Sequence, residues 1–172
     1  AGFSIFPGEC LEYLDLEMGI VGDGEQAFVN LLSRLEKGAD LSDLSGLTLR
    51  SEGGISVNQP SFIPDLSRLP APDRDLFDVR PYKWIPGQGP PSMPNLQARR
   101  GCQFQCIYCS TPSIEGSVMR RRDSDAVSAE LESMQRDYGC TNAVFVDSLF
   151  SYPSDYTLEL CRRIAARQLS IK

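Results

Sequence analysis

Three thiols fall within one short run, Arg100-Gly101-Cys102-Gln103-Phe104-Gln105-Cys106-Ile107-Tyr108-Cys109. Thiolates are the usual ligands of iron–sulfur clusters, and a loop spaced CxxxCxxC can fold three of them around one cube. Three protein ligands leave one iron open, and an open coordination position separates a reactive metal site from a structural one. The remaining cysteines do not close the site. Cys140 precedes a strand whereas the cysteine loop follows one, so in a parallel sheet it lies at the opposite end, about 20 Å away for a six-residue strand. Cys161 falls mid-helix on a face read as core, where cysteine behaves as a small hydrophobe. Cys10 lies far upstream, and the chain has no histidine. Two non-enzymatic alternatives stay open: a cysteine-bound zinc module, which needs a fourth ligand, and an iron–sulfur electron carrier, which needs four cysteines per cluster.

Three other groups carry possible chemistry. Asp147-Ser148 ends the apolar strand Ala143-Val144-Phe145-Val146, on the edge where parallel barrels keep their active sites. An acid there could hold an ammonium group, or it could cap the turn before Pro153. Gly22-Asp23-Gly24-Glu25 sits between a strand and a helix, where glycines permit close backbone approach to a cofactor or simply make a tight turn. Arg120-Arg121-Arg122 is the densest basic run, either solvated surface or an anion contact.

The elements that must position these groups follow an α/β rhythm. Leu16 to Val21 reads as a strand, and Ala27, Phe28, Leu31, Leu32 and Leu35 repeat at helical spacing up to Gly38. Asp23 with Gln26 fits a capping box, and Pro7 to Leu14 could form a short helix. This alternation predicts the end of an open parallel sheet. Leu47, Leu49, Ile55 and Val57 predict a hairpin around Ser51-Glu52-Gly53-Gly54. Nine of the twelve prolines lie from Pro60 to Pro94, a connector with Tyr82 and Trp84 as possible anchors. Beyond it come a strand at Asn95 to Arg99, a helix at Asp123 to Tyr138 ended by Gly139, the strand at 143–146, and a helix at Ser154 to Arg167 burying Leu158, Cys161, Ile164 and Ala165. This is βαβα with a third strand begun, the pattern of a parallel barrel.

Composition bounds the partners. A formal charge of −6 argues against a general nucleic-acid binder. The sequence offers no bilayer-spanning run and no signal-peptide pattern, so the default expectation is a cytoplasmic protein. The chain begins at Ala1 without a methionine and stops at Leu169-Ser170-Ile171-Lys172, like the start of a strand, which points to a fragment.

Cys102-xxx-Cys106-xx-Cys109, with the aromatic Tyr108 before the last cysteine, resembles the signature of radical S-adenosylmethionine (SAM) enzymes. The resemblance implies a 4Fe–4S cluster on the three cysteines, whose open iron chelates the amino and carboxylate groups of SAM. Reductive cleavage of SAM then gives a 5′-deoxyadenosyl radical. It also implies that Tyr108 packs beside the adenine, that Asp147-Ser148 face the amino end of SAM, and that flavodoxin or ferredoxin supplies the electron. The order of glycine turn, helix, Gly46-Leu47-Thr48-Leu49, proline-rich connector and cysteine loop resembles the subfamily with an N-terminal cobalamin-binding domain. There the turn reads Gly-Glu-Gly-Glu, so Asp23 stands in place of the usual glutamate. The implied organisation has the C-terminal part of a flavodoxin-like (Rossmann-type) cobalamin domain at 1–45. A hairpin and connector follow at 46–94, and the first two βα units of a partial (βα)6 barrel at 95–172. Gly22, Asp23, Gly24 and Glu25 would face cobalamin. The implied activity is methyl transfer to a small-molecule substrate. The alternatives are oxidative cyclisation within the subfamily, or a methylthiotransferase, which would need more upstream cysteines than Cys10. No residue is assigned as a catalytic acid or base, and the fragment alone is expected to be inactive.

Overall fold

In the computed structural model, residues 2–76 and 95–171 are described; the expected anchors Tyr82 and Trp84 lie outside them. The chain divides into two compact units, residues 1–64 with 101–119, and residues 65–100 with 120–172.

The first unit holds helices α1 (Gly2–Ile5), α2 (Pro7–Tyr13), α3 (Gly24–Glu36) and α4 (Thr111–Glu115), and strands β1 (Met18–Ile20), β2 (Leu47–Ser51) and β3 (Gly54–Val57). The predicted hairpin forms as read, with Ser51 opposite Gly54 and Thr48 opposite Val57. The strand before the glycine turn corrects an expectation. β1 pairs antiparallel with β2, Met18 opposite Leu49, where alternation predicted a parallel neighbour. The reason lies at the strand ends. Val21, just past β1, donates to the carbonyl of Gly46, just before β2, at 2.7 Å. The α3 segment therefore returns the chain to the end at which it left the sheet. Leu31, Leu44 and Leu47 form a small core with Met18, Ile20, Leu41 and Leu49 against it. Of the expected α3 face only Ala27 and Leu31 are buried, one i,i+4 stripe toward the sheet, while Phe28, Leu32 and Leu35 are exposed. The predicted capping box does not close either. Asp23 is the N-cap residue but makes no cap bond; its carboxylate accepts from the Ile63 amide at 2.8 Å, and Gln26 donates to Asn30.

The second unit holds strands β4 (Asn95–Leu96), β5 (Arg99–Arg100), β6 (Arg120–Arg121) and β7 (Val144–Phe145), helices α5 (Ser124–Tyr138) and α6 (Ser154–Ala166), and two tight helical turns at Leu66–Arg68 and Arg74–Leu76. β4 and β7 run parallel, with α5 in the crossover between them, which is the βαβ arrangement expected from the sequence. The predicted strand at 95–99 is broken in two, because β5 turns away to pair antiparallel with β6. α5 is bounded as its sequence dictates: the Asp123 carboxylate accepts from the Ala126 amide, and Gly139 closes the helix in the left-handed region at φ 64°. Leu96, Ala98, Val127, Leu131, Met134, Cys140, Tyr156 and Leu160 make the core. The buried face of α6 differs from the expected one. Tyr156 and Leu160 point inward with Ile164 partly covered, whereas Leu158, Cys161 and Ala165 are exposed. Tyr156 takes the inward place because its hydroxyl donates to the carbonyl of Arg122 at 2.9 Å, so the ring is buried without stranding its polar end.

Candidate functional site

The cysteine loop springs from a narrow neck. Gly101 has φ +85°, and a Cβ there would stand 2.2 Å from the Val118 carbonyl oxygen. Across the neck the Gly101 amide donates to Glu115 Oε2 at 3.2 Å and the Cys102 amide to the Gly116 carbonyl at 3.1 Å. Gly116, at φ +89°, closes the other side, 3.3 Å from the Phe62 ring as measured from its notional Cβ. Only glycine fits at Gly101 on both counts, left-handed backbone and near-contact with a carbonyl.

Above the neck the three thiols are free, Cys102 half-buried and Cys106 and Cys109 exposed. A backbone bond from Cys109 to the Cys106 carbonyl at 3.0 Å turns the chain between the last two. The hydroxyl of Thr111, 3.3 Å from Cys109 Sγ, and the Thr111 backbone hold that thiol below its ordinary pKa. That favours the thiolate, which is the ligand form. Among the described residues no three cysteine or carboxylate side chains converge at metal-ligand spacing. The donor set still fits an iron–sulfur cluster by its chemistry: three uncrosslinked thiols on one tethered loop. Tyr108, 89% exposed, is not a core aromatic; its ring stands on the loop surface with Ile107.

Gly22 of the glycine turn has φ +88°, and a Cβ on it would meet the Ser61 carbonyl oxygen at 2.3 Å. Gly22 and Ser61 form a parallel bridge, and the neighbouring Asp23 amide donates to that same carbonyl at 2.6 Å. Gly22 is thus required by the protein's own backbone. Gly24 is different: a Cβ there meets nothing within 4 Å. Asp23 is buried against Ile63, and Glu25 is exposed in the first turn of α3.

Asp147 belongs to the second unit, just past the C-terminal end of β7, the same end at which the chain leaves β4 toward Gly101. Its carboxylate is fully buried. Oδ1 accepts from the amides of Ala98 and Arg99 at 2.8 and 3.1 Å, and Oδ2 lies 3.9 Å from Arg99 Nε. These contacts tie the carboxylate to the backbone just past β4. Ser148 is the exposed residue of the pair.

Sequence reasoning missed two groups that hold this strand edge. Arg99 is buried and reaches the Tyr152 carbonyl and the Thr157 hydroxyl, the latter at 2.7 Å, with its guanidinium over the rings of Phe150 and Tyr156. Burial pulls its pKa below the usual arginine value, with Asp147 opposing. Glu130, buried in α5, binds both Arg74 and Arg122 at 2.7 Å, and those arginines donate to the carbonyls of Asn95 and Gln97. The basic run is therefore not a solvated face: Arg120 is buried and Arg122 is paired, and only Arg121 is exposed. No spacing rule marks either group, since an arginine beside a strand end reads as surface until its distant partners are known.

No family model matches the chain. It is 28% identical over 151 residues to an uncharacterized methyltransferase of Pyrococcus horikoshii, covering 87% of this chain and 32% of that protein. It is 26% identical over 175 residues to the anaerobic magnesium-protoporphyrin IX monomethyl ester cyclase of Rubrivivax gelatinosus, covering 99% and 31%. Among solved structures it matches the radical S-adenosylmethionine methyltransferase TsrM of Kitasatospora setae, solved with cobalamin and a 4Fe–4S cluster bound, with TM-score 0.73 and 23% identity over 97% of this chain and 33% of that one. The chain thus spans about a third of the length of the curated relatives it matches. Its mixed α/β fold is that of the corresponding stretch of a cobalamin-binding radical SAM enzyme.

Proposed function

We propose that this chain is part of a cobalamin-dependent radical SAM enzyme, most simply a methyltransferase acting on a small molecule. The single observation that carries the reading is the cysteine loop. Three free thiols at CxxxCxxC spacing stand on a loop whose neck admits only glycine at Gly101. Cys102, Cys106 and Cys109 would hold a 4Fe–4S cluster, which when bound supplies the electron that cleaves SAM. Tyr108, exposed beside them, would lie against the adenine, and Asp147 with Ser148 would face the amino end of SAM. Gly22, Asp23, Gly24 and Glu25, the turn leading into α3, would face cobalamin, with open space at Gly24 and an exposed Glu25. Residues 1–45 would end the cobalamin domain, 46–94 would form the hairpin and connector, and 95–172 would begin the radical SAM barrel. Likeness to a methyltransferase and to TsrM supports methyl transfer; likeness to the protoporphyrin ester cyclase favours oxidative cyclisation as the second reading.

The test is metal and product analysis of the anaerobically prepared full-length protein. Four irons and four sulfides per chain, with 5′-deoxyadenosine released from SAM on reduction, support the reading. One zinc per chain and no SAM cleavage sinks it and leaves a structural metal module.

A further inference from the structure

Among the described residues Arg99 is the bulkiest of the fully buried side chains. A buried guanidinium is costly to desolvate, and well-packed apolar residues often replace buried ion pairs without loss of stability. Its partners show what the charge does here. They are Asp147 at the end of β7, Phe150 and the Tyr152 carbonyl in the following segment, and Tyr156 and Thr157 in the first turn of α6. One planar guanidinium thus touches both ends of the segment, by charge at Asp147 and by hydrogen bonds at Tyr152 and Thr157. The contact is reciprocal, because Asp147 accepts the Arg99 amide while facing its guanidinium. Thr157 extends the tie by donating to the Phe150 carbonyl at 2.7 Å.

We propose that Arg99 is a positioning residue for SAM: it fixes the 147–153 segment so that the Ser148 end of β7 is set before SAM arrives. The inference rests on the radical SAM reading above and adds to it a residue that neither motif marks. Lysine keeps the charge but has no planar fork to serve Tyr152, Thr157 and two rings together. Preorganisation is lost before the fold is.

The experiment compares SAM affinity in the full-length, cluster-reconstituted parent with Arg99→Lys, Thr157→Val and, as a stability control, Leu160→Ala in the core. The expected result is unchanged iron per chain in all four. SAM Kd should rise about tenfold in Arg99→Lys and severalfold in Thr157→Val. The electron paramagnetic resonance change that SAM produces in the reduced cluster should appear only at correspondingly higher SAM. Leu160→Ala should lower Tm with SAM Kd unchanged. Should Arg99→Lys not accumulate as folded protein, Thr157→Val decides alone. Parent-like SAM affinity in the folded variants, or equal weakening in Leu160→Ala, overturns the positioning role. A parent that takes up the cluster yet binds no SAM overturns the radical SAM reading itself, and this inference with it.

Discussion

Two thiolates cannot hold an iron–sulfur cube, so alanine at Cys102, Cys106 or Cys109 should each abolish cluster assembly, measured as iron per chain after anaerobic reconstitution. The other cysteines set the contrast. Cys140 lies in the core of the second unit, so Cys140→Ala should keep full iron while losing about 1 kcal/mol of stability. Cys161 is exposed on α6, and its alanine variant should change neither. Loss of iron in either variant would remove the three-ligand assignment. The glycines divide in the same residue-by-residue way. At Gly101 and Gly22 a side chain would meet a backbone oxygen at 2.2 and 2.3 Å with φ positive. Each valine variant should therefore lose about 2 kcal/mol or more, read from urea unfolding.

At the scale of elements, α6 is held by Tyr156, whose burial pushes its phenol up to about 12. The unfolded chain ionises near the ordinary value of about 10. Between those values the folded protein holds a proton that the unfolded one has lost, so stability should fall as pH rises through this window and be unaffected below it. Tyr156→Phe should remove that alkaline decline, followed by unfolding against pH, and lose about 1 kcal/mol at neutral pH with the bond to the Arg122 carbonyl. Glu130 offers a second test. Glu130→Gln leaves Arg74 and Arg122 without their shared buried charge and should cost about 3 kcal/mol, seen as a lower Tm. These two residues mark what the sequence could and could not disclose. α5 was legible because its signals are local: Asp123 to start, apolar residues at helical spacing, Gly139 to stop. The hairpin was legible for the same reason. The inward face of α6 was not, because hydrophobic type favoured Leu158 and Cys161, while the decision rests on oxygens at Ala98 and Arg122 that can take the Tyr156 hydroxyl. The antiparallel β1–β2 pairing and the burial of Arg99 likewise depend on partners dozens of residues away. Within the site, the cysteine spacing is local and legible, whereas the bonds from the Ala98 and Arg99 amides to Asp147 join distant stretches of chain and are not.

At the scale of the molecule, the glycine turn and the cysteine loop fall in the same compact unit, although long stretches of chain separate them. A substitution that merely weakens this unit could therefore disturb both cofactors, and the choice of glycine decides whether a cobalamin test means anything. Gly22 is unsuitable: its side chain would collide with Ser61 and break the bridge that ties the turn to the segment after the hairpin. Gly24 is suitable, because its backbone is not left-handed and a Cβ enters open space. A β-branched residue at the start of an exposed helix costs only tenths of a kcal/mol. We therefore expect Gly24→Val in the full-length protein to keep its Tm within about 2 °C and its iron per chain unchanged. The same variant should retain several-fold less cobalamin through gel filtration, read from visible absorbance beside the iron content. Gly22→Val should lose stability and cobalamin together. If the parent retains no cobalamin, or if Gly24→Val retains as much as the parent, the turn does not approach a corrin and only the cysteine-loop half of the functional reading stands.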